Sequence, residues 1–292
     1  MKHKITTLIL LFFLFVHHSN GQKANDFYLR AKAKFEQGDY SGAIVDYDRA
    51  IALSPYSPAL YNNRGVAKSK LEFYSDAITD FTKAISYDSS FFLAWFNRAN
   101  AYKEIFEYTN ALLDYDKTIF LKSDYKSAYL NRGILKSLKS DENGAIEDFD
   151  KVLDLEPNNV NAWYNRGTSY LALKKYDKAI KDFNKTLKLK NDHYKAVINR
   201  GICYLEQFEY EKAIDDFDFA IGLQPSNGEA FYMRGLAYIN SSGVTSADVS
   251  TKRNMRIVKE NNVKAELACS DFEKSRNFKY SKSIEMIAKY CR

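Results

Sequence analysis

Seven arginines, Arg30, Arg64, Arg98, Arg132, Arg166, Arg200 and Arg234, follow one another at intervals of 34 residues. Sixteen residues after each of the first six stands an aspartate: Asp46, Asp80, Asp114, Asp148, Asp182 and Asp216. Asp271 supplies a seventh after a longer offset. A guanidinium can grip a carboxylate with two parallel hydrogen bonds, and opposite signs kept in phase are what a ladder of clamps requires. The expectation is therefore a structural ladder, Arg64 with Asp80, Arg98 with Asp114, Arg132 with Asp148 and Arg166 with Asp182. The competing reading is a row of cations offered to an acidic ligand.

Reactive side chains are sparse elsewhere. Beyond residue 21 there is a single histidine, His193, read as solvated in a turn between repeats. One imidazole and three scattered cysteines, Cys203, Cys269 and Cys291, cannot assemble a metal cluster. There is no phosphate-cradling loop, nucleophile elbow or zinc-protease helix. No catalytic residue, metal or cofactor is expected. Cys203 reads as a buried thiol, and Cys269 and Cys291 as a possible disulfide pinning the C-terminus.

The elements that hold these residues follow from the same 34-residue period. Six blocks cover residues 24–57, 58–91, 92–125, 126–159, 160–193 and 194–227, and a seventh begins at Gly228. Down the frame, position 8 is Ala31, Gly65, Ala99, Gly133, Gly167, Gly201 and Gly235. Position 20 is Ala in all six full blocks, from Ala43 to Ala213, and position 24 is always Tyr or Phe, from Tyr47 to Phe217. Position 4 is large: Phe27, Tyr61, Trp95, Tyr129, Trp163, Val197 and Phe231. Positions 4, 8 and 11 share one face of a first helix, and 20, 24 and 27 one face of a second. Small residues at 8 and 20 let two antiparallel helices approach, with large rings packed beside them. Polar turns such as Gln37-Gly38-Asp39 close each hairpin, and Pro55, Pro157 and Pro225 at position 32 are read as stopping the second helix.

Taken together, these columns resemble the tetratricopeptide repeat over residues 24 to about 276. The resemblance implies an all-α chain, an α-solenoid superhelix of seven helical hairpins whose first helices line a concave face. The seventh hairpin, 228–276, departs from the pattern. Its second helix resumes register at Ala268, Phe272 and Ser275, so an insertion at about 241–262 splits it. Residues 277–292 are expected to form a capping helix over the open end of the stack.

Position 6 carries a row of amides: Asn63, Asn97, Asn131, Asn165 and Asn199. Asparagine is a mediocre helix former, so its recurrence asks for a reason. Each amide either bonds a neighbouring helix or backbone, or binds ligand. The second reading resembles the asparagine ladder inside the superhelix of O-linked N-acetylglucosamine transferase, where amides hold the backbone of an extended peptide. Positions 5 and 9 face the same side in this family. Phe96, Tyr164 and Tyr232 would give the groove aromatic walls, beside Lys32, Val66, Asn100 and Ile134 at position 9. The chaperone-binding subfamily has Lys at 5 and Asn at 9. That combination is missing here, so a chaperone tail is disfavoured.

The chain's surroundings are read from its ends and its charge. Lys2 and Lys4 precede the apolar stretch Ile5 to Val16, and Ser19-Asn20-Gly21 offers a cleavage site, so residues 1–21 read as a signal peptide. The stretch is too short for an integral membrane span. The expected localisation is periplasmic or secreted. Net charge is +6, or +4 without the two leader lysines, and the basic residues are not read as gathered into one stripe, which argues against nucleic acid. The expected function is a non-enzymatic scaffold binding a peptide or protein in the concave groove. A carbohydrate-binding or envelope-anchoring module is the alternative. Oligomeric state is left open.

Overall fold

A computed structural model describes residues 21–243 and 258–291, with the backbone alone for 258–262. Residues 1–20 of the expected signal peptide and 244–257 of the expected insertion lie outside the described residues. Among the described residues there are fifteen helices and no strand. They are α1 (21–36), α2 (Tyr40–Leu53), α3 (Pro58–Lys70), α4 (Tyr74–Tyr87), α5 (Phe92–Glu104), α6 (Tyr108–Leu121), α7 (Lys126–Leu138) and α8 (Glu142–Leu155). There follow α9 (Val160–Ala172), α10 (Tyr176–Leu189), α11 (Tyr194–Glu206), α12 (Tyr210–Leu223), α13 (Gly228–Ser242), α14 (Val258–Asn277) and α15 (Ser283–Tyr290).

The fold is all-α and of the α-solenoid class, built in two compact units, Met1–Leu135 and Lys136–Arg292. In the first unit α3 packs on α4 and α5 on α6, with α2 against α3, α4 against α5, and α3 touching α5. In the second, α9 pairs with α10, α11 with α12 and α13 with α14, and α9, α11 and α13 touch in succession. Within each unit these hairpins thus bury their apolar seams against their own partner and the next, the condition for a repeat stack.

The close approach inside a hairpin is set at position 8. A Cβ on Gly65, Gly167, Gly201 or Gly235 would sit only 2.6–2.8 Å from a ring carbon of Phe81, Phe183, Phe217 or Phe272. Position 8 therefore faces the ring at position 24 directly. The column pairing has a simple form: Gly stands opposite Phe, whereas Ala31 and Ala99 stand in the hairpins that carry Tyr47 and Tyr115. Those rings and the alanines around them are the core, with Tyr115, Phe149, Phe183, Phe217 and Phe272 fully buried.

The first six hairpins each turn through one residue of left-handed backbone at position 15: Gly38, Glu72, Phe106, Ser140, Lys174 and Phe208, with φ between 56° and 83°. Only the first is the glycine that such a turn favours. Neighbouring bonds fix the other five, as where Phe73 N–H reaches back to Lys68 O at 3.0 Å. The second helices of the first six hairpins end at position 30, at Leu53, Tyr87, Leu121, Leu155, Leu189 and Leu223. They do so whether position 32 is Pro157 or Ser123, so proline is not what stops them. The next residue already leaves helical geometry, with φ between −136° and −144°.

The seventh hairpin closes with an unusually long second helix. The last residues of the expected insertion at about 241–262 are helical, because α14 begins at Val258. Met286, Ile287 and Tyr290 of α15 pack against Ile239, Ala268 and Phe272. A disulfide joins Cys269 on α14 to Cys291 just beyond α15. Ser275 Oγ donates to Gly228 O (2.8 Å), tying α14 to the start of α13.

Candidate functional site

The arginine column forms a double clamp. Arg166 on α9 donates from Nε and Nη2 to the two oxygens of Asp182 on α10, at 2.7 and 2.8 Å. Its third nitrogen, Nη1, donates back to Asp150 on α8 at 2.5 Å. The arrangement recurs with Arg64 on Asp80 and Asp48, and with Arg98 on Asp114 and Thr82. Arg200 takes Asp216 and Asn184, and Arg234 takes Asp271 and Asp218. Arg132 reaches Asp116 (2.6 Å), while Asp148 takes Lys136 (3.0 Å). Arg64, Arg98, Arg166, Arg200 and Arg234 therefore each tie their own second helix to the preceding one. The acceptor at position 25 was not read from the sequence, although the column Asp48, Thr82, Asp116, Asp150, Asn184, Asp218 carries an oxygen in every block.

A ring one turn earlier covers six of the seven guanidiniums. Phe27, Tyr61, Trp95, Tyr129, Trp163 and Phe231 lie 4.6–5.6 Å from Arg30, Arg64, Arg98, Arg132, Arg166 and Arg234, within range of a cation–π attraction. Trp95 and Trp163 then spend their indole N–H on Ser89 O (3.0 Å) and Pro157 O (2.8 Å), holding the loop after the preceding second helix. Position 4 is thus aromatic for two reasons, and Val197 forgoes both.

Position 11 tunes the buried carboxylates. Lys34 and Lys68 add a second cation at 2.8 Å to Asp46 and Asp80. The fork from Arg30, with Lys34 behind it, holds the Asp46 carboxyl well below the usual carboxylate range. In other hairpins position 11 is Tyr102, Tyr170 or Tyr204. There burial pushes the carboxyls of Asp114, Asp182 and Asp216 upward against the pull of a single arginine. Among the described residues these charges are largely spent on one another.

The amides of position 6 meet two fates. Asn97 Nδ2 donates to Asn62 Oδ1 (2.9 Å) and Asn131 Nδ2 to Asn100 Oδ1 (2.9 Å), joining successive first helices. Tyr115 Oη also donates to Asn100 (2.6 Å). Asn199 Nδ2 stands 3.5 Å from Tyr164 Oη, and Asn62 donates to Asn63 at 3.2 Å. Among the described residues Asn165 alone of the five makes no side-chain hydrogen bond. These pairings were invisible in the columns, because Asn62 and Asn100 each occur once in theirs.

Around the amides the first helices enclose hollows. One of about 330 Å³ lies between α1 and α3, lined by Tyr28, Lys32, Phe35, Glu36, Asn63 and Val66. The next, about 280 Å³, lies between α3 and α5 and is lined by Val66, Ser69, Tyr74, Phe81, Asn97 and Glu104. Val66 walls both, and the Ser69 hydroxyl is buried without a partner. In the second unit the same face carries Thr168, Ile202 and Leu236, all half-buried.

The rings expected as groove walls are half-buried and also pack on neighbouring rings. Phe96 lies against Tyr125 and Tyr115, Tyr164 against His193 and Phe183, and Tyr232 against Tyr280 and Phe272. His193 is not a solvated turn residue either. Its Nδ1 accepts from Ala196 N–H (3.2 Å), capping α11, and burial lowers its pKa. Cys203 is fully buried, its thiol pushed up to about 12 by desolvation. Among the described residues no cluster of His, Cys, Asp or Glu is placed to hold a metal, and no helix is long and apolar enough to cross a membrane.

Comparison with known proteins follows the same lines. Residues 160–193 and 194–227 each match a family model described as tetratricopeptide repeat, and residues 31–72 match a second, described as TPR repeat. A tetratricopeptide repeat protein from Parabacteroides merdae is similar in structure at 19% identity, with 93% of this chain and 100% of that one covered and a TM-score of 0.62. YrrB, described as a TPR protein with an unusual peptide-binding site, shares 22% identity over 63% of this chain and 95% of its own, with a TM-score of 0.58. Pseudomonas aeruginosa pilF shares 15% over 73% and 96%, with a TM-score of 0.63. At these identities the likeness is one of fold. A comparison with curated proteins gives no match.

Proposed function

The chain is a tetratricopeptide-repeat protein, and on that premise we propose that it is a non-enzymatic scaffold that binds an extended peptide segment of a partner protein along its first-helix faces. The fold is a general protein–protein interaction scaffold. The observation that carries the finer reading is the pair of hollows in the first unit, one repeat apart, sharing Val66 and each presenting a position-6 amide. A carboxamide both donates and accepts, so it can follow a peptide backbone without regard to sequence. The hollows themselves suit small aliphatic side chains, with Lys32, Glu36 and Glu104 in the walls.

The proposal extends to export. The leader-like residues 1–21 and the Cys269–Cys291 disulfide agree with an oxidising compartment, where such bonds persist. Burial of Cys203 keeps the remaining thiol out of that chemistry.

The test uses a peptide selected against the wild-type chain from a random display library. Val66 walls both hollows but makes no hydrogen bond through its side chain, so Val66→Arg fills them without breaking a ladder. Calorimetric titration is expected to show affinity falling more than tenfold, the loss of a contact worth about 2 kcal/mol. Helical content by circular dichroism should be unchanged. A selected peptide that binds Val66→Arg as tightly as wild type would remove the hollows from the account.

A further inference from the structure

The charge of the chain is concentrated rather than spread. Residues 160–193 carry eight Lys or Arg against three Asp, while residues 194–227 carry three against six Asp or Glu. On α10 the excess falls on one line. Lys178, Lys181, Lys185 and Lys188 are spaced by three, four and three residues, which keeps them on one helix face over about 15 Å. This corrects the reading that no basic stripe exists. Lys178, Lys181 and Lys188 are exposed, and among the described residues none of the four makes an ion pair. The neighbouring second helix, α12, shows the opposite sign outward, through Glu211, Asp215 and Asp218; Glu211 also meets Lys264 and Asp218 meets Arg234, yet both carboxylates stay exposed enough for a second cation. Beside them Phe219 is 50% exposed.

We infer that two copies of this chain associate through these faces, α10 of each lying against α12 of the other about a two-fold axis parallel to the helices. Charge and register both lead there. Within the 34-residue frame Lys178, Lys181 and Lys185 occupy positions 19, 22 and 26, and Glu211, Asp215 and Asp218 occupy 18, 22 and 25. An axis parallel to the helices keeps heights equal, so three lysines meet three carboxylates, and the two-fold repeats the set. A two-fold contact of this kind is self-complementary and closed. Phe219 at position 26 comes level with Lys185, whose hydrocarbon stem can cover an exposed ring. A linear polyanion would use the lysines but leave the acidic face and Phe219 without a role. The footprint of two short helices, roughly 400 Å² per copy, is below the ~800 Å² of a standard interface. The dimer is therefore weak and steeply dependent on salt.

Sedimentation velocity on the full chain tests this. Wild type is expected to dimerise at micromolar concentration in about 50 mM salt, with the dissociation constant rising more than tenfold in about 500 mM salt. Two charge-reversed variants then identify the surfaces. In K181E/K185E the α10 face turns acidic and repels α12, and in E211K/D215K the α12 face turns basic and repels α10. Each alone is expected to remain monomeric. Mixed in equal amounts they are complementary at both halves of the contact, so a heterodimer should form. Wild type that stays monomeric at about 100 μM in low salt, or a mixture that stays monomeric while wild type dimerises, overturns the inference. Association of K181E/K185E with itself overturns it as well.

Discussion

Replacing Arg166 by alanine is expected to lower the unfolding free energy by about 3–5 kcal/mol, the cost of stranding a buried charge. The side chain of Asp182 is only 3% exposed, and the Arg166 fork is its ion-pair partner. The same substitution frees Asp150 and uncovers the face of Trp163. Burial works against the Arg166 charge, yet its bonds to Asp182 and Asp150 more than offset this and leave its pKa raised. Three helices, α8, α9 and α10, lose their common tie. Arg30→Ala should cost markedly less, since Arg30 is half exposed and Asp46 keeps Lys34 and Arg49. Urea titration followed by circular dichroism checks the pair. The variant Arg166→Met with Asp182→Leu separates clamp from charge: removing both partners should recover most of the loss. Equal midpoints for Arg166→Ala and wild type would return the column to the ligand-binding reading.

The second large effect lies at the C-terminus. Breaking Cys269–Cys291, by reduction or by Cys291→Ser, is expected to destabilise the end of the second unit by about 2–4 kcal/mol. The crosslink closes a separation of 22 residues. It also holds an eight-residue helix, α15, which is too short to be stable by itself. With the bond open, α15 can leave Ile239, Ala268 and Phe272, and the seventh hairpin loses its cover. Hydrogen exchange should then quicken in α14 and α15 while α9 and α10 keep their protection, because each repeat in a stack feels mainly its neighbours. Protection that is unchanged across α15 on reduction would show that packing alone secures the cap.

What could be read from the sequence follows from how repeats display information. A side chain with one job in every hairpin fills a column with one residue type, as Arg at position 7 and Asp at position 23 do. Position 25 asks only for an oxygen acceptor, so Thr82 and Asn184 serve as well as Asp150 and break the column's sign without breaking its function. The amide bonds Asn97–Asn62 and Asn131–Asn100 cross between repeats and use different frame positions, which no single column can reveal. Phe96, Tyr164 and Tyr232 each also meet a ring of their own hairpin, a contact that their place in the frame does not display. The lysine stripe of α10 runs along a helix rather than down a column, and comparing repeats hides it. His193 looked like a loop residue because its cap uses a ring nitrogen, which in sequence resembles any turn histidine.

The central claim is that the arginine ladder builds the scaffold while the first-helix faces receive the ligand. Amide chemical-shift mapping with the selected peptide tests it most directly, on isotope-labelled wild-type protein. The account predicts shifts at Asn63, Val66, Ser69 and Asn97 of the hollows. Shifts confined to the second helices, or to the Arg166 and Asp182 signals of the ladder, would contradict it.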